Sequence, residues 1–213
     1  MAPCMGAALS TLCPYNLPMS GVEVEVKFRV ADGPALQSKL AELGFREITP
    51  RTFEKNVLFD TPERTLRAQQ SILRVRQYGE RWVVTHKCLP ADNDPAGRHK
   101  RRVETETEVA DGEAMATIFS QLGYKPAFTY EKWRSEYADA QGHCVIDETP
   151  IGLFAELEGP ADWIDTVSRQ LGLEPSELLT LSYGRLFEEW RASTGSTVND
   201  LTFAAIPANG SAT

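Results

Sequence analysis

A nine-residue stretch near the start of the chain, residues 22–30, constrains the fold more than any other. Apolar residues alternate there with Glu23, Glu25, Lys27 and Arg29. An alternation with a period of two is the signature of a β-strand, and the β-branched valines suit a pleated, half-buried surface. One face of this strand must pack on a core, while the charged face points either to solvent or into a wet interior.

Further segments of the chain have the same strand character, and helical segments connect some of them. Strands are predicted at 46–60, 72–78, 81–87, 101–109, 125–139, 142–149 and 153–158. Two helices are expected to begin after Asp32 and Asp111 and to end at Gly44 and Gly123. Two more are expected at 161–171 and 183–192. About eight strands, mostly in hairpin order, close into a barrel or pack as a sandwich.

Composition excludes several classes of protein. A net charge of −8 argues against a general nucleic-acid or anionic-membrane partner, because no global positive field attracts one. No apolar run approaches the roughly 18 residues of a membrane span. The four cysteines lack a metal-binding spacing, so they are expected to be reduced thiols and the protein cytoplasmic.

The two ends of the chain are predicted to lie outside the fold. Residues 1–18 carry no Lys or Arg for a signal peptide, and we interpret them as a disordered leader or a wrongly assigned start before Met19. Residues 194–213 are small and polar, and a disordered tail is expected there. A single domain at 19–193 remains.

Ionisable residues recur at alternate positions of strand after strand. The acidic positions are Glu23, Glu25, Glu104, Glu106, Asp147, Glu156 and Glu158, and the basic ones are Lys27, Arg74, Arg76, Lys87, Lys132 and Arg134. These faces form either a salt-bridged outer surface or the inside of a barrel. Unpaired buried charges cost several kcal/mol each, so an interior of this kind must hold water, a polyanion and divalent cations. Spacing alone favours the surface slightly.

A set of motifs resembles the CYTH superfamily, the triphosphate tunnel metalloenzymes. Glu23-Val24-Glu25-Val26-Lys27 matches the ExExK signature of that family. The other motifs follow in the family's order along about 165 residues: Phe59-Asp60-Thr61-Pro62, Leu73-Arg74-Val75-Arg76, Thr85-His86-Lys87, Glu104 with Glu106, Glu131-Lys132-Trp133-Arg134, Val145-Ile146-Asp147, Glu156-Leu157-Glu158 and Ser182-Tyr183. The resemblance implies an α+β fold, an eight-stranded closed antiparallel β-barrel that forms the tunnel, with flanking and C-terminal helices.

The resemblance also implies roles for these residues. The metal ligands, for Mg²⁺ or Mn²⁺, would be Glu23, Glu25, Glu104, Glu106, Asp147, Glu156 and Glu158. The triphosphate contacts would be Lys27, Lys55, Arg74, Arg76, Lys87, Lys132 and Arg134. The catalytic residues would be Glu25, Lys27 and Lys87. Bidentate Arg contacts suit phosphate oxygens, and carboxylates suit hard divalent cations.

The family resemblance implies two activities. Residues 122–135 and 54–60 are similar to the bacterial class IV adenylyl cyclases, which convert ATP to cyclic AMP and pyrophosphate. Arg76 and the Glu156/Glu158 pair also fit the triphosphatases, which hydrolyse inorganic, thiamine or nucleoside triphosphate. The cyclase is preferred. A non-catalytic module that binds polyphosphate or a nucleotide, and an ordinary barrel with an ion-paired outer surface, are the other interpretations.

The partner implied by the resemblance is a small-molecule triphosphate: ATP, tripolyphosphate or thiamine triphosphate. A second copy of the chain, in a homodimer, is left open as a further partner. Neither a nucleic acid nor a membrane is expected to bind.

Overall fold

The computed structural model describes residues 20–91 and 98–207. The leader predicted at 1–18, positions 92–97 of a polar loop and the last six residues of the predicted tail lie outside the described residues. Within the described ranges, no helix has the length and apolar character that a membrane crossing requires.

Eight strands form one closed barrel, which confirms the barrel and excludes the sandwich. The strands are β1 (Ser20–Arg29), β2 (Arg46–Asp60), β3 (Ile72–Tyr78), β4 (Arg81–Cys88), β5 (Lys100–Val109), β6 (Lys125–Ala138), β7 (His143–Thr149) and β8 (Gly152–Glu158). Their order around the barrel is β1-β5-β4-β3-β2-β6-β7-β8. Every neighbouring pair is antiparallel.

Five α-helices lie around the barrel in residues 20–91 and 98–207. They are α1 (Gly33–Glu42), α2 (Thr65–Ala68), α3 (Gly112–Gln121), α4 (Ala161–Leu171) and α5 (Tyr183–Thr194). The carboxylates of Asp32 and Asp111 each accept a 2.9 Å hydrogen bond from the first turn of the helix that follows. These bonds satisfy N–H groups that the helix leaves unpaired, so α1 and α3 begin where the sequence predicts.

The short helix α2 and its flanking turns depend on Asp60, and the sequence did not predict this order. The carboxylate of Asp60 accepts hydrogen bonds from the backbone N–H groups of Thr61, Leu66 and Arg67 at 2.8–3.0 Å. A buried carboxylate that collects several N–H donors fixes the path of the chain around it. The connection from β2 to β3 is therefore ordered locally.

One apolar cluster lies outside the barrel wall, between the strands and the helices. Val26 and Phe28 of β1 are buried against Trp163 and Ile164 of α4 in one cluster. A second cluster joins α5 to Phe154 and Tyr130, which share the inward faces of β8 and β6 with Glu156 and Lys132. Because side chains alternate across a strand, Lys27, which lies between Val26 and Phe28, must point into the barrel. The packing of β1 against α4 thus places its charged face inside the barrel.

Residues 195–207 pack on β6, which differs from the disorder expected for this part of the tail. Leu201 is fully buried, and its backbone exchanges 2.9 Å hydrogen bonds with Thr129 and Glu131. The β7 strand pairs only with residues 133–138 of β6, so the first half of β6 has an open edge on that side. The tail covers this edge.

The packing of the tail leads to a stability prediction. We expect Leu201→Ala to lower the free energy of unfolding by about 2–5 kcal/mol, the range for truncating a buried Leu. Urea denaturation followed by circular dichroism measures the change. Leu122→Ala, the same truncation at a side chain that is 69% exposed, is the matched control and should change little. Equal effects of the two substitutions would show that the tail does not pack as described.

Candidate active site

The inward faces of the strands bring nearly all of the predicted site residues into the barrel. Strand pairing sets Lys27 opposite Glu156, Lys87 opposite Glu104, and Arg134 opposite Asp147. The residues that line the lumen are Glu23, Glu25, Lys27, Arg74, Arg76, Lys87, Glu104, Glu106, Lys132, Arg134, Asp147, Glu156 and Glu158. The predicted interior interpretation of the charged faces is therefore confirmed for this set.

Lys55 is the exception, because the structure does not bring it together with the other predicted triphosphate contacts. Glu54 and Asn56 on either side of it are fully buried and face the lumen. Since neighbouring side chains on a strand point to opposite faces, Lys55 lies outside. It borders a groove of about 500 Å³ between α3 and the outer wall, which Val57 and Val75 also line.

Four carboxylates, Glu23, Glu25, Glu104 and Glu158, gather at one level of the lumen, and we call them the carboxylate cluster. Lys87 lies 2.6 Å from Glu23 and 2.9 Å from Glu104, and Lys100 pairs with Glu25. Burial raises the pKa of Glu158, and the neighbouring carboxylates raise it further, to about 8. Negative charge is thus in excess in this cluster.

The pKa values of Lys87 and Lys27 are shifted in opposite directions from the ordinary value for lysine. Burial lowers the pKa of Lys87, but Glu23 and Glu104 outweigh that effect and hold it above its usual value. Burial of Lys27 dominates, and lowers its pKa to about 7. Lys27 pairs with Glu156, and its ammonium lies 4.2 Å from the ring centre of Tyr183.

Four cationic side chains, Arg74, Arg76, Lys132 and Arg134, adjoin the carboxylate cluster, with Arg74 3.9 Å from Glu104. We call them the cation cluster. Glu54 lies among them, 3.5 Å from Lys132, 3.9 Å from Arg76 and 4.0 Å from Arg134. Burial raises the pKa of Glu54, but these cations outweigh it and lower the pKa to about 2. The four cations therefore keep Glu54 ionised.

The orientation of the cation cluster depends on Asp147. This fully buried carboxylate accepts two hydrogen bonds from Arg134 at 2.7 and 2.6 Å, and one from Lys132 at 2.9 Å. Tyr183 of α5 donates a further bond of 2.6 Å. Asp147 is thus occupied as a counter-ion. Glu156 also accepts from Arg134, at 2.9 Å, and Glu106 accepts from Arg76 at 3.0 Å.

Sequence reasoning missed four residues that the structure places among these groups: Glu54, Thr85, Lys100 and Tyr183. Thr85 donates to Glu106 at 2.9 Å and accepts from Arg74 at 3.1 Å. Strand alternation could have found Glu54, since it shares a face with Asn56. Alternation along β5 also places Lys100 on the face of Glu104, but its pairing with Glu25 depends on the register of β5 against β1.

The carboxylate cluster fits a divalent cation in the chemistry of its donors. Carboxylate oxygens are the ligands that Mg²⁺ and Mn²⁺ prefer, and the raised pKa of Glu158 indicates charge that a cation would offset. In residues 20–91 and 98–207, no three Asp, Glu, His or Cys side chains are arranged to hold a metal ion as they stand. Lys87 and Lys100 take up the carboxylate oxygens instead.

The pKa of Glu54 leads to a prediction about acid stability. A carboxylate with a lowered folded-state pKa stabilises the protein above its ordinary pKa, here 4.5, and the stabilisation is lost as the pH falls towards 2. We therefore expect the difference in unfolding free energy between wild type and Glu54→Gln to shrink between pH 4.5 and pH 2. Urea denaturation across this range measures it, with the exposed Glu42→Gln as control. A difference that does not vary with pH would contradict the lowered pKa.

Comparison with known proteins agrees with this architecture. The CYTH domain model matches residues 21–170, which is more than half of the chain. The chain belongs to the CYTH family.

A curated relative and two solved structures extend the comparison. The adenylate cyclase CyaB of Aeromonas hydrophila is 29% identical over 182 residues, covering 78% of this chain and 89% of its own length. A Vibrio parahaemolyticus structure, named provisionally as an adenylate cyclase, has a TM-score of 0.68 at 21% identity and covers 78% of this chain and 97% of its own. A Hippeastrum protein described as having a dominant triphosphatase activity has a TM-score of 0.53 at 16% identity, and the match covers 79% of this chain and 95% of its own.

The two structures share the fold with this CYTH protein. The family match and the curated adenylate cyclase relative identify it as an enzyme.

Proposed function

We propose that this CYTH protein is a metal-dependent adenylyl cyclase that binds the triphosphate of ATP inside the barrel. The observation that carries this proposal is a single lumen in which a cation cluster adjoins a carboxylate cluster, with Arg74 3.9 Å from Glu104. A triphosphate needs several cations for its oxygens, and a divalent cation needs carboxylates beside them. The lumen offers both.

The cation cluster has donors that suit phosphate oxygens. The Nε atoms of Arg74 and Arg76 are buried and have no hydrogen-bond acceptor among the described residues. Buried N–H groups without an acceptor are costly, and an anion would satisfy them. We infer that Arg74, Arg76, Lys132 and Arg134 hold the phosphate oxygens, while Asp147 keeps Lys132 and Arg134 in orientation.

The carboxylate cluster supplies the remaining chemistry. Glu23, Glu25, Glu104 and Glu158 would hold Mg²⁺ or Mn²⁺, which neutralises phosphate charge and lowers the pKa of the attacking hydroxyl when it is bound. Lys27 lies beside both sets of groups and would contact the phosphate chain. Phosphoryl and nucleotidyl transfer need positioning and charge neutralisation more than a protein nucleophile, and these side chains supply both.

In the proposed reaction, the 3′-hydroxyl oxygen of ATP attacks the α-phosphorus. The bond from the α-phosphorus to the bridging oxygen breaks, and pyrophosphate leaves. The similarity of residues 122–135 to class IV cyclases, together with the name of the Aeromonas hydrophila relative, supports this reaction over hydrolysis.

Triphosphate hydrolysis is the second candidate. Arg76 lies inside the lumen at 3.0 Å from Glu106, so the cation cluster has the second arginine that fits a triphosphatase. The dominant triphosphatase activity stated for the Hippeastrum protein of the same fold favours the same candidate. In that case water would attack the terminal phosphorus, the bond from that phosphorus to its bridging oxygen would break, and the corresponding diphosphate would leave together with inorganic phosphate and a proton.

A substrate panel tests both candidates. The purified protein is incubated with Mg²⁺ or Mn²⁺ and, separately, ATP, tripolyphosphate and thiamine triphosphate, and the products are separated by anion-exchange chromatography. The proposal predicts cyclic AMP and pyrophosphate from ATP, and no product in EDTA. Phosphate release without cyclic AMP would assign hydrolysis instead. Turnover of none of the three would refute the enzyme proposal.

A further inference from the structure

Two buried side-chain oxygens on the inward face of β2 accept no hydrogen bond from the described residues. Glu54 and Asn56 are both fully buried on the inward face of β2. The side-chain nitrogen of Asn56 donates to Oε1 of Glu54 at 2.8 Å. Oε2 of Glu54 and Oδ1 of Asn56 have no hydrogen-bond donor among the described residues. Two buried acceptors, on neighbouring side chains of the inward face of β2, are therefore left without a donor.

A buried acceptor without a donor is costly, so these atoms need a partner with N–H or O–H groups. The cations around Glu54 stay beyond hydrogen-bonding distance from Oε2, since Arg76 lies at 3.9 Å and Arg134 at 4.0 Å. A metal ion is disfavoured here, because Lys132, Arg134, Arg76 and Arg74 all act on this carboxylate and would repel it. The remaining partner is a neutral donor.

The triphosphate itself cannot be that donor. An ionised polyphosphate chain carries only acceptor oxygens, so it would repel Glu54 and leave both atoms unpaired. A donor supplied by the substrate must therefore belong to its organic part. It must also lie close to the phosphates, because Glu54 sits among the cations that would hold them. Ribose hydroxyls are a few bonds from the α-phosphate, whereas the amino group of a base is much farther.

We propose that Glu54 and Asn56 form a subsite that accepts a hydrogen bond from a ribose hydroxyl, which makes a nucleoside triphosphate the substrate class. This inference rests on the proposed binding of a triphosphate in the lumen. The pair orients the hydroxyl beside the phosphate chain and takes no proton from it. Glu54 is a positioning residue in this account, and it selects nucleotides over inorganic tripolyphosphate.

The charge of Glu54 gives the proposal a distinctive consequence. A carboxylate among phosphate-binding cations weakens their attraction for any polyanion. Glu54→Gln should therefore leave tripolyphosphate binding unchanged or tighter, while ATP loses a hydrogen bond. A merely structural counter-ion would shift the affinity for both ligands in the same direction.

Calorimetry at low temperature tests the inference with four probes: ATP, 2′-deoxyATP, 3′-deoxyATP and tripolyphosphate, with chromatography to confirm that each stays intact. We expect wild type to bind ATP about 10- to 100-fold more tightly than at least one deoxy analogue, since the missing hydroxyl leaves buried acceptors unpaired. Glu54→Gln should remove most of that preference. Asn56→Leu should reduce it too, and provides a second variant if the first fails to fold. Glu47→Gln, at an exposed end of β2, is the control.

The outcomes separate this inference from the proposed function. Equal affinity of wild type for ATP and both deoxy analogues would overturn the subsite. A single factor of change for all four ligands in Glu54→Gln would also overturn it, since bound water or a structural role would then account for the two acceptors. Failure of wild type to bind any of the four probes would overturn the proposed function itself, and the subsite with it.

Discussion

Replacing Glu25 with glutamine is expected to lower metal-dependent turnover by at least about 100-fold while the protein stays folded. Glutamine has nearly the same shape but carries no charge, so it is a much weaker ligand for a hard divalent cation. Lys100, Lys27 and Lys87 hold the pKa of Glu25 well below its usual range against the opposing effect of burial, and the side chain is therefore ionised and able to bind a metal at neutral pH.

The measurement is the turnover rate with each substrate across a range of Mg²⁺ and Mn²⁺ concentrations. Glu148→Gln is the matched control, because Glu148 also forms an ion pair, with Arg51 at 2.7 Å, but does so on the outer face. The control should keep its activity. If Glu25→Gln kept wild-type turnover, the carboxylate cluster would not be the metal site and β1 would have only a structural role.

Asp147→Asn is expected to have the largest effect on stability, lowering the free energy of unfolding by about 3–5 kcal/mol. Asp147 is fully buried, and Arg134 and Lys132 donate to it. Burial raises the pKa of Asp147, but Arg134 and Lys132 outweigh it and keep the pKa well below its usual range. Asparagine removes the charge and leaves two buried cations short of a counter-ion.

Urea denaturation at neutral pH measures this change. Tyr183→Phe is the comparison, because it removes only the 2.6 Å bond from the hydroxyl to Asp147 and should cost about 1–2 kcal/mol. A result in which Asp147→Asn costs no more than Tyr183→Phe would contradict the role of Asp147 as the counter-ion of the cation cluster.

The strands could be predicted from the sequence, but the direction of their charged faces could not be predicted from alternation alone. In β1, alternation shows that Glu25 and Val26 lie on opposite faces. It does not show which of the two faces points into the barrel. The packing of Val26 against α4 settles this. Lys55 illustrates the same limit. It was predicted to contact the triphosphate in the lumen, but Glu54 and Asn56 occupy the inward face of β2.

Contacts between distant segments were the least predictable. The tail after Thr194 has a composition typical of disorder, yet Leu201 is held by the open edge of β6, which only the pairing of β6 with β7 reveals. Asp147 was assigned from its motif as a metal ligand, and the structure engages it with Arg134 and Lys132 instead. That pairing follows from the register of β7 against β6, which the sequence does not specify.

Calorimetric titration of the protein with tripolyphosphate in the presence of Mg²⁺ tests most directly whether the lumen is the anion site. Arg76→Gln, inside the barrel, is compared with Arg51→Gln, whose side chain stacks on Trp133 on the outer face. The account predicts one binding site per chain, weakened at least about tenfold by Arg76→Gln and unchanged by Arg51→Gln. Undetectable binding to wild type, or equal losses in the two variants, would contradict it.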